Sequence, residues 1–125
     1  MLTWPEAEVY CRDVEEGHLT SVRDLQENNR IEKILRRLRY YFGFSKVWIG
    51  ASDLYHEGRF EWTDESPFRF ERWIKGEPSG QRRGKKEDCA VMTADPHWGH
   101  WKDEHCLHHL PFMCRKNGQW KVSHF

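Results

Sequence analysis

Four cysteines, a run of histidines and one strongly basic hexapeptide are the residues whose types and spacing could do chemistry. Cys11, Cys89, Cys106 and Cys114 form an even set, which fits two disulfides in an oxidising compartment. Four cysteines allow three pairings, and one long bridge closing the domain plus one short local bridge is a natural arrangement. No C-x-x-C pair is present, so the spacing carries no zinc signature. His97, His100, His105, His108 and His109 crowd around Cys106. That cluster invites a zinc reading, but no HExxH accompanies it. The run Gln81-Arg82-Arg83-Gly84-Lys85-Lys86 places four cations in six residues. Arg82, Arg83, Lys85 and Lys86 could attract sulfated glycans or acidic proteins. No activated nucleophile, phosphate-binding glycine loop or catalytic dyad is visible, so the chain reads as a binding module and not an enzyme.

The elements that must position these residues change character along the chain. Thr3-Trp4-Pro5-Glu6 has the form of a capping box with proline in the first turn. Trp4, Ala7, Tyr10, Cys11 and Val14 then recur at helical spacing, which predicts a helix over about 4–14, ended by Gly17. Ser21-Val22-Arg23-Asp24 opens a second helix running to about residue 40. Leu25, Ile31, Ile34, Leu35 and Leu38 line its apolar face, and Arg30, Lys33, Arg36, Arg37 and Arg39 form a basic stripe.

After residue 40 the period becomes two. Lys46–Gly50 reads as a buried strand, Gly58–Thr63 as a strand with one wet face, and residues 64–87 as loop. Short strands are predicted at 89–92, 100–102 and 110–114. Helices first and antiparallel strands after is an α+β order. With 125 residues the chain suits one domain, without internal repeats. Lys plus Arg equals Asp plus Glu at 20 each, which argues against a dedicated nucleic-acid binder. No stretch of about 18 apolar residues exists to span a membrane. No signal peptide precedes the first helix, so a secretory signal would have been removed or would lie upstream.

Several runs together resemble the C-type lectin domain family. They are Thr3-Trp4-x-x-Ala7-x-x-x-Cys11, Gly17-His18-Leu19-Thr20-Ser21-Val22, Val47-Trp48-Ile49-Gly50-Ala51, Gly58-x-Phe60-x-Trp62-x-Asp64 and Phe70-x-x-Trp73. Gly76-Glu77-Pro78, Glu87-Asp88-Cys89, Trp101-x-Asp103-x-x-Cys106 and Pro111-Phe112-x-Cys114 complete the set. The resemblance spans residues 3–116. It implies a C-type-lectin-like fold with two helices packed on antiparallel sheets, a long irregular binding loop, and disulfides Cys11–Cys114 and Cys89–Cys106. The second bridge would remove Cys106 from any zinc site.

The resemblance also implies where calcium would sit. The family's sugar-binding ion is held by a Glu-Pro-Asn or Gln-Pro-Asp triplet, a later Glu and a Trp-Asn-Asp triplet. Glu77, Glu87 and Asp103 match that pattern. Ser79 stands where an amide or carboxylate belongs, and Lys102 where Asn belongs. A hydroxyl can still coordinate, whereas an ammonium has donors only and repels the ion. The expected site is therefore weakened. Lys102 would either pair with Glu77 or Glu87 in the ion's place or swing outward. Asp53, Glu57 and Asp88 match the family's second calcium site, with Gly80 replacing its loop Asp.

The implied function is extracellular glycan recognition through this loop with calcium. The alternative is calcium-independent binding of an extracellular protein or sulfated polysaccharide by the same surface. One expectation concerns the tail. Family domains begin with a strand that pairs with the last one, whereas this sequence starts two residues before the helix cap. Asn117-Gly118 is a hairpin signal. Residues 117–125 are therefore expected to fold back on the last strand in that strand's place, with Trp120 and Val122 beneath the first helix and Phe125 near Met1. Residues 1–116 would form the lectin-like domain.

Overall fold

The computed structural model describes residues 1–56, 58–79 and 89–124. Helix α1 spans Trp4–Asp13. Its capping box is formed: the Glu6 amide donates to the Thr3 hydroxyl, and the Thr3 amide donates to the Glu6 carboxylate. Strand β1 is His18–Leu19 and helix α2 is Leu25–Phe42. The second helix starts later than its sequence signal. Asp24 caps it by accepting from the Glu27 amide at 2.8 Å, while Ser21 and Val22 are buried and belong to the extended link. Gly43, at φ 76°, closes the helix in the left-handed conformation.

Five longer-range strands and one short one follow: β2 Lys46–Ser52, β3 Glu61–Trp62, β4 Cys89–Thr93, β5 Trp101–Glu104, β6 Phe112–Lys116 and β7 Gln119–Ser123. The predicted strand over 58–63 shrinks to two residues, because only Ala51 and Ser52 pair with it. Strand β4 lies between β2 and β5, with Trp48 opposite Val91 and Ala90 opposite Asp103. The sheet is mixed and not wholly antiparallel, since β2 meets β6 in parallel at Trp48 and Phe112.

The strands alternate strictly between two cores. Trp48, Cys89, Val91, Phe112 and Cys114 face α1 and join Trp4, Ala7, Cys11 and Leu19. Val47, Ile49, Ala51, Ala90, Met92, Trp101 and Met113 face the other way and join Ile31, Leu35 and Leu38 of α2. Both disulfides, Cys11–Cys114 and Cys89–Cys106, sit on the α1 side. The first joins positions 103 residues apart. Closing a loop of that size restricts the unfolded chain by on the order of 4 kcal/mol. Gly17 and Gly50 make close approaches possible: a Cβ at Gly17 would collide with the Arg115 carbonyl, and one at Gly50 with the Leu19 and Thr20 carbonyls.

The tail does pair with β6 antiparallel, from Lys116–Gln119 to Phe112–Ser123. Its aromatic contacts differ from expectation. Trp120 and Val122 pack on the core under α2, not under α1. The Trp120 indole N–H donates to Thr20 Oγ1 at 2.8 Å, and the Arg115 guanidinium lies 5.1 Å from the Trp120 ring centre. The cause is strand alternation, which sends Met113 of β6 and its partner Val122 to the α2 face. The expected place of Phe125 lies outside the described residues.

Arg115 also forms a two-pronged bridge to Glu27, with both N–H···O distances 2.8 Å. Burial raises the Glu27 carboxyl, but hydrogen bonds from Arg115 and the Arg23 amide outweigh it and hold the carboxyl below its ordinary range. The folded pKa is thus depressed. The stability it contributes is present above the unfolded value, about 4.3, and is lost as pH falls below it. Wild type should therefore lose stability more steeply than Glu27→Gln as pH falls below about 5 and through the depressed folded value, as read by urea midpoints. Parallel curves would contradict the linkage. Trp120→Ala should lower stability by about 2 kcal/mol by loss of a half-buried aromatic. An unchanged urea midpoint would mean the tail contributes nothing to the fold.

Candidate functional site

Trp101 is fully buried at the start of β5, and its backbone fixes the loop beside it. Its amide donates to the Arg72 carbonyl, and its carbonyl accepts from the Ile74 amide, each at 2.8 Å. The Trp101 ring meets Trp62, Trp73, Phe68 and Phe70 edge to face, with centroids 5.4–6.4 Å apart. Its indole N–H donates to Asn28 of α2 at 2.9 Å, and Asn28 donates in turn to the Gly99 carbonyl. Residues 72–74 are thereby held as an extra rail alongside β5.

The chain then turns back. The Glu77 amide donates to the Ile74 carbonyl at 2.8 Å, and Gly76 at φ 90° supplies a backbone conformation that a side chain would resist. The turn delivers Ser79 onto Asp103. Both the Ser79 amide (2.8 Å) and its hydroxyl (3.2 Å) donate to Asp103 Oδ1. The same amide reaches Glu77 Oε1 at 3.2 Å. Burial raises the Glu77 carboxyl, and the contact with Asp103 and its negative charge raise it further. Glu77, Ser79 and Asp103, three of the residues singled out by sequence, therefore form one corner. It is all oxygen and carries two carboxylates in mutual contact.

Lys102 goes elsewhere. Alternation along β5 places it with Glu104, away from Asp103. Its Nζ lies 3.0 Å from Glu104 Oε1, and Lys46 Nζ lies 2.6 Å from the same oxygen. His108 Nδ1 approaches the other oxygen at 3.1 Å. Burial raises the Glu104 carboxyl, yet the hydrogen bonds from Lys46 and Lys102 dominate and hold it low. Lys102 thus pairs with Glu104 and not with Glu77; Glu87, its other expected partner, lies outside the described residues. Glu104 is the residue that sequence reasoning missed. The signal existed, because a strand places residues i and i+2 on one face. The aromatic hub was missed too, since nothing in the sequence pairs Asn28 with Trp101.

Asp53 follows β2 and is 1% exposed. Its Oδ2 accepts from the Gly58 amide at 3.0 Å, while its Oδ1 is buried with no hydrogen-bond partner among the described residues. A buried carboxylate oxygen lacking a donor is costly, and a cation would satisfy it. Glu57, Glu87 and Asp88, expected beside these groups, lie outside the described residues, as do Arg82, Arg83, Lys85 and Lys86. Among the described residues, no three His, Cys, Asp or Glu side chains gather as a metal cluster. In the histidine run, the rings of His105 and His108 stack at 5.6 Å, and Cys106 is committed to its disulfide. The oxygen donors of Glu77, Ser79 and Asp103, and the orphaned oxygen of Asp53, suit a hard divalent cation such as Ca²⁺.

Comparison with known proteins gives this geometry a family. Residues 1–116 match the family model of the lectin C-type domain. A lectin of Pleurodeles waltl is 35% identical over 115 residues, covering 90% of this chain and 63% of the relative. The chain thus spans under two thirds of that relative's length. Human lithostathine superposes with a TM-score of 0.80 at 26% identity, covering 90% of this chain and 82% of that one. The cow CD23 carbohydrate-recognition domain, solved in the presence of a GlcNAc2Man3 oligosaccharide, superposes at 0.68 with 28% identity, covering 84% and 71%. With its fold, both disulfides and a family match over 116 residues, the chain belongs to the C-type lectin domain family.

Proposed function

We propose that this domain recognises glycans with the help of calcium at the corner formed by Glu77, Ser79 and Asp103, with Glu87 completing the donor set. The observation that carries this reading is the seating of the 77–79 turn on the buried Asp103 carboxylate while Lys102 is held away by Glu104. A bound calcium would supply open coordination positions for two adjacent sugar hydroxyls. The protein's own contribution is orientation. Ser79 fixes Asp103 by two hydrogen bonds, and the Trp101 rail sets the distance between Glu77 and Asp103. Glu77 and Asp103 repel each other when both are ionised, so a cation between them relieves a cost already built into the fold. Asp53, with Glu57 and Asp88, would hold a second ion against the buried Oδ1. The cow CD23 neighbour, described as a carbohydrate-recognition domain and solved in the presence of an oligosaccharide, supports the same use of the fold.

C-type lectin domains are generally binding modules without catalysis. Two disulfides and no free cysteine among the described residues favour an oxidising compartment, so we place the domain outside the cell, secreted or as part of an ectodomain. No helix among the described residues is long and apolar enough to cross a membrane.

Calcium at ten times its Kd should stabilise the fold by roughly 1.4 kcal/mol, raising Tm by about 5 °C. Asp103→Asn should remove most of that gain, while Arg69→Ser, outside the corner, should keep it. A melting curve indifferent to millimolar calcium in wild type would reject this reading and favour calcium-independent binding of a protein or sulfated polysaccharide by the same loop.

A further inference from the structure

We propose a second binding surface, on the outer face of α2, that takes a linear sulfated polysaccharide independently of calcium. The face buried by α2 is defined by Asn28, Ile31, Leu35 and Leu38. The helical repeat puts Arg30, Lys33, Arg36, Arg37, Tyr40 and Tyr41 on the opposite side, and all six are exposed. Arg30, Lys33 and Arg37 advance along one row, so the outer two lie about 10.5 Å apart on the axis at 1.5 Å per residue.

The charge on this row is uncompensated among the described residues. Among the described residues, Arg30, Lys33 and Arg37 take part in no ion pair. The two glutamates that flank the row are already engaged: Glu27 by Arg115 and Glu32 by Arg36, each at 2.8 Å. From Lys33 to Lys46 the chain holds five cations and no carboxylate. The whole chain is neutral, so this is a local feature and not a consequence of overall basicity.

The row ends in aromatic surface. Tyr40 is 83% exposed and Tyr41 72%. Exposed rings of this size beside these cations suit a ligand that offers both anionic groups and the apolar C–H face of a ring. A sulfated sugar chain offers both in a repeating line, and its linearity matches a single helix row better than a planar lipid surface does.

The surface is separate from the calcium corner. Lys46, just beyond α2, pairs with Thr93 at one end of β4, whereas the long loop rejoins the sheet at Cys89, opposite Ser52, the other end of β2. The two ends of β2 lie six residue steps apart, roughly 20 Å.

The test is retention on immobilised heparin in a salt gradient, run with calcium and with EDTA. The proteins are wild type, Arg30→Ser/Lys33→Ser/Arg37→Ser, Tyr40→Ser/Tyr41→Ser, and Arg82→Ser/Arg83→Ser/Lys85→Ser/Lys86→Ser. The triple helix variant should bind roughly tenfold more weakly at 0.15 M salt, with its log K against log salt slope reduced by about 2 to 3. The tyrosine variant should weaken binding with the slope unchanged. Retention should be the same in EDTA, which separates this surface from the calcium corner. Unchanged Tm in the helix variants confirms that folding is intact. Full retention by the triple helix variant, loss of retention in EDTA, or loss confined to the 82–86 variant would each overturn the proposal. So would binding to phosphatidylserine vesicles, abolished by the triple variant, in a protein that heparin does not retain.

Discussion

The contact between Trp101 and Asn28 is the constraint on which the rest of the site depends. It is a buried hydrogen bond of 2.9 Å joining β5 to α2, set inside a ring of four other aromatic side chains. The same residue's backbone clamps residues 72–74 from both sides. A long connection with little secondary structure of its own would otherwise have to find its position against β5 by chance. Here one indole anchors the helix, the aromatic packing and the rail that leads to Glu77 and Ser79. Breaking the Asn28 bond would leave a buried indole N–H unsatisfied, with a cost of about 1–3 kcal/mol, and would loosen the element that meets Asp103.

The sheet divides the molecule into a stapled half and a half that carries the acidic corner. Its α1 face carries both disulfides and the packing of Trp4 and Trp48, whose indole N–H groups donate to the Ile49 and Leu2 carbonyls. Its α2 face carries the aromatic ring and the 60–79 segment that ends in the acidic corner. The same alternation sorts charge within β5. Asp103 turns to the loop, and Lys102 and Glu104 turn together to Lys46 and His108. A cation at position 102 is therefore compatible with a cation site at 103, because neighbouring residues of a strand face opposite ways.

Much of this was legible in the sequence because it depends on short-range rules. The capping box at Thr3 and Glu6, the apolar face of α2 and the buried run Val47-Trp48-Ile49 follow from spacing alone. The Asn117-Gly118 turn is a two-residue signal, and the strand beyond it pairs as such a turn dictates. The disulfide pairing needed the family resemblance, since four cysteines leave three choices. What stayed hidden involves distant partners. Glu27 meets Arg115 across 88 residues, and Asn28 meets Trp101 across 73; no local pattern joins either pair. The start of α2 was misplaced for a related reason. Ser21 and Val22 look like helix starters, but Ser21 Oγ is held by Asp64 at 2.6 Å and Val22 is fully buried, so tertiary contacts keep them extended.

Within the proposed site, few free choices remain once the rail is in place. Ser79 has both its donors on one carboxylate oxygen, and Glu77 lies against that same carboxylate, so the corner is held together by the protein's own contacts. Preorganised oxygen donors favour a cation that tolerates irregular coordination, which is the property of calcium that sugar hydroxyls exploit. The most direct measurement is binding of the protein to an array of neutral glycans, with calcium and with EDTA in parallel. Calcium-dependent recognition at this corner requires binding to glycans with exposed adjacent hydroxyls in calcium and none in EDTA. Equal binding in both buffers, or no neutral glycan bound in either, would contradict it.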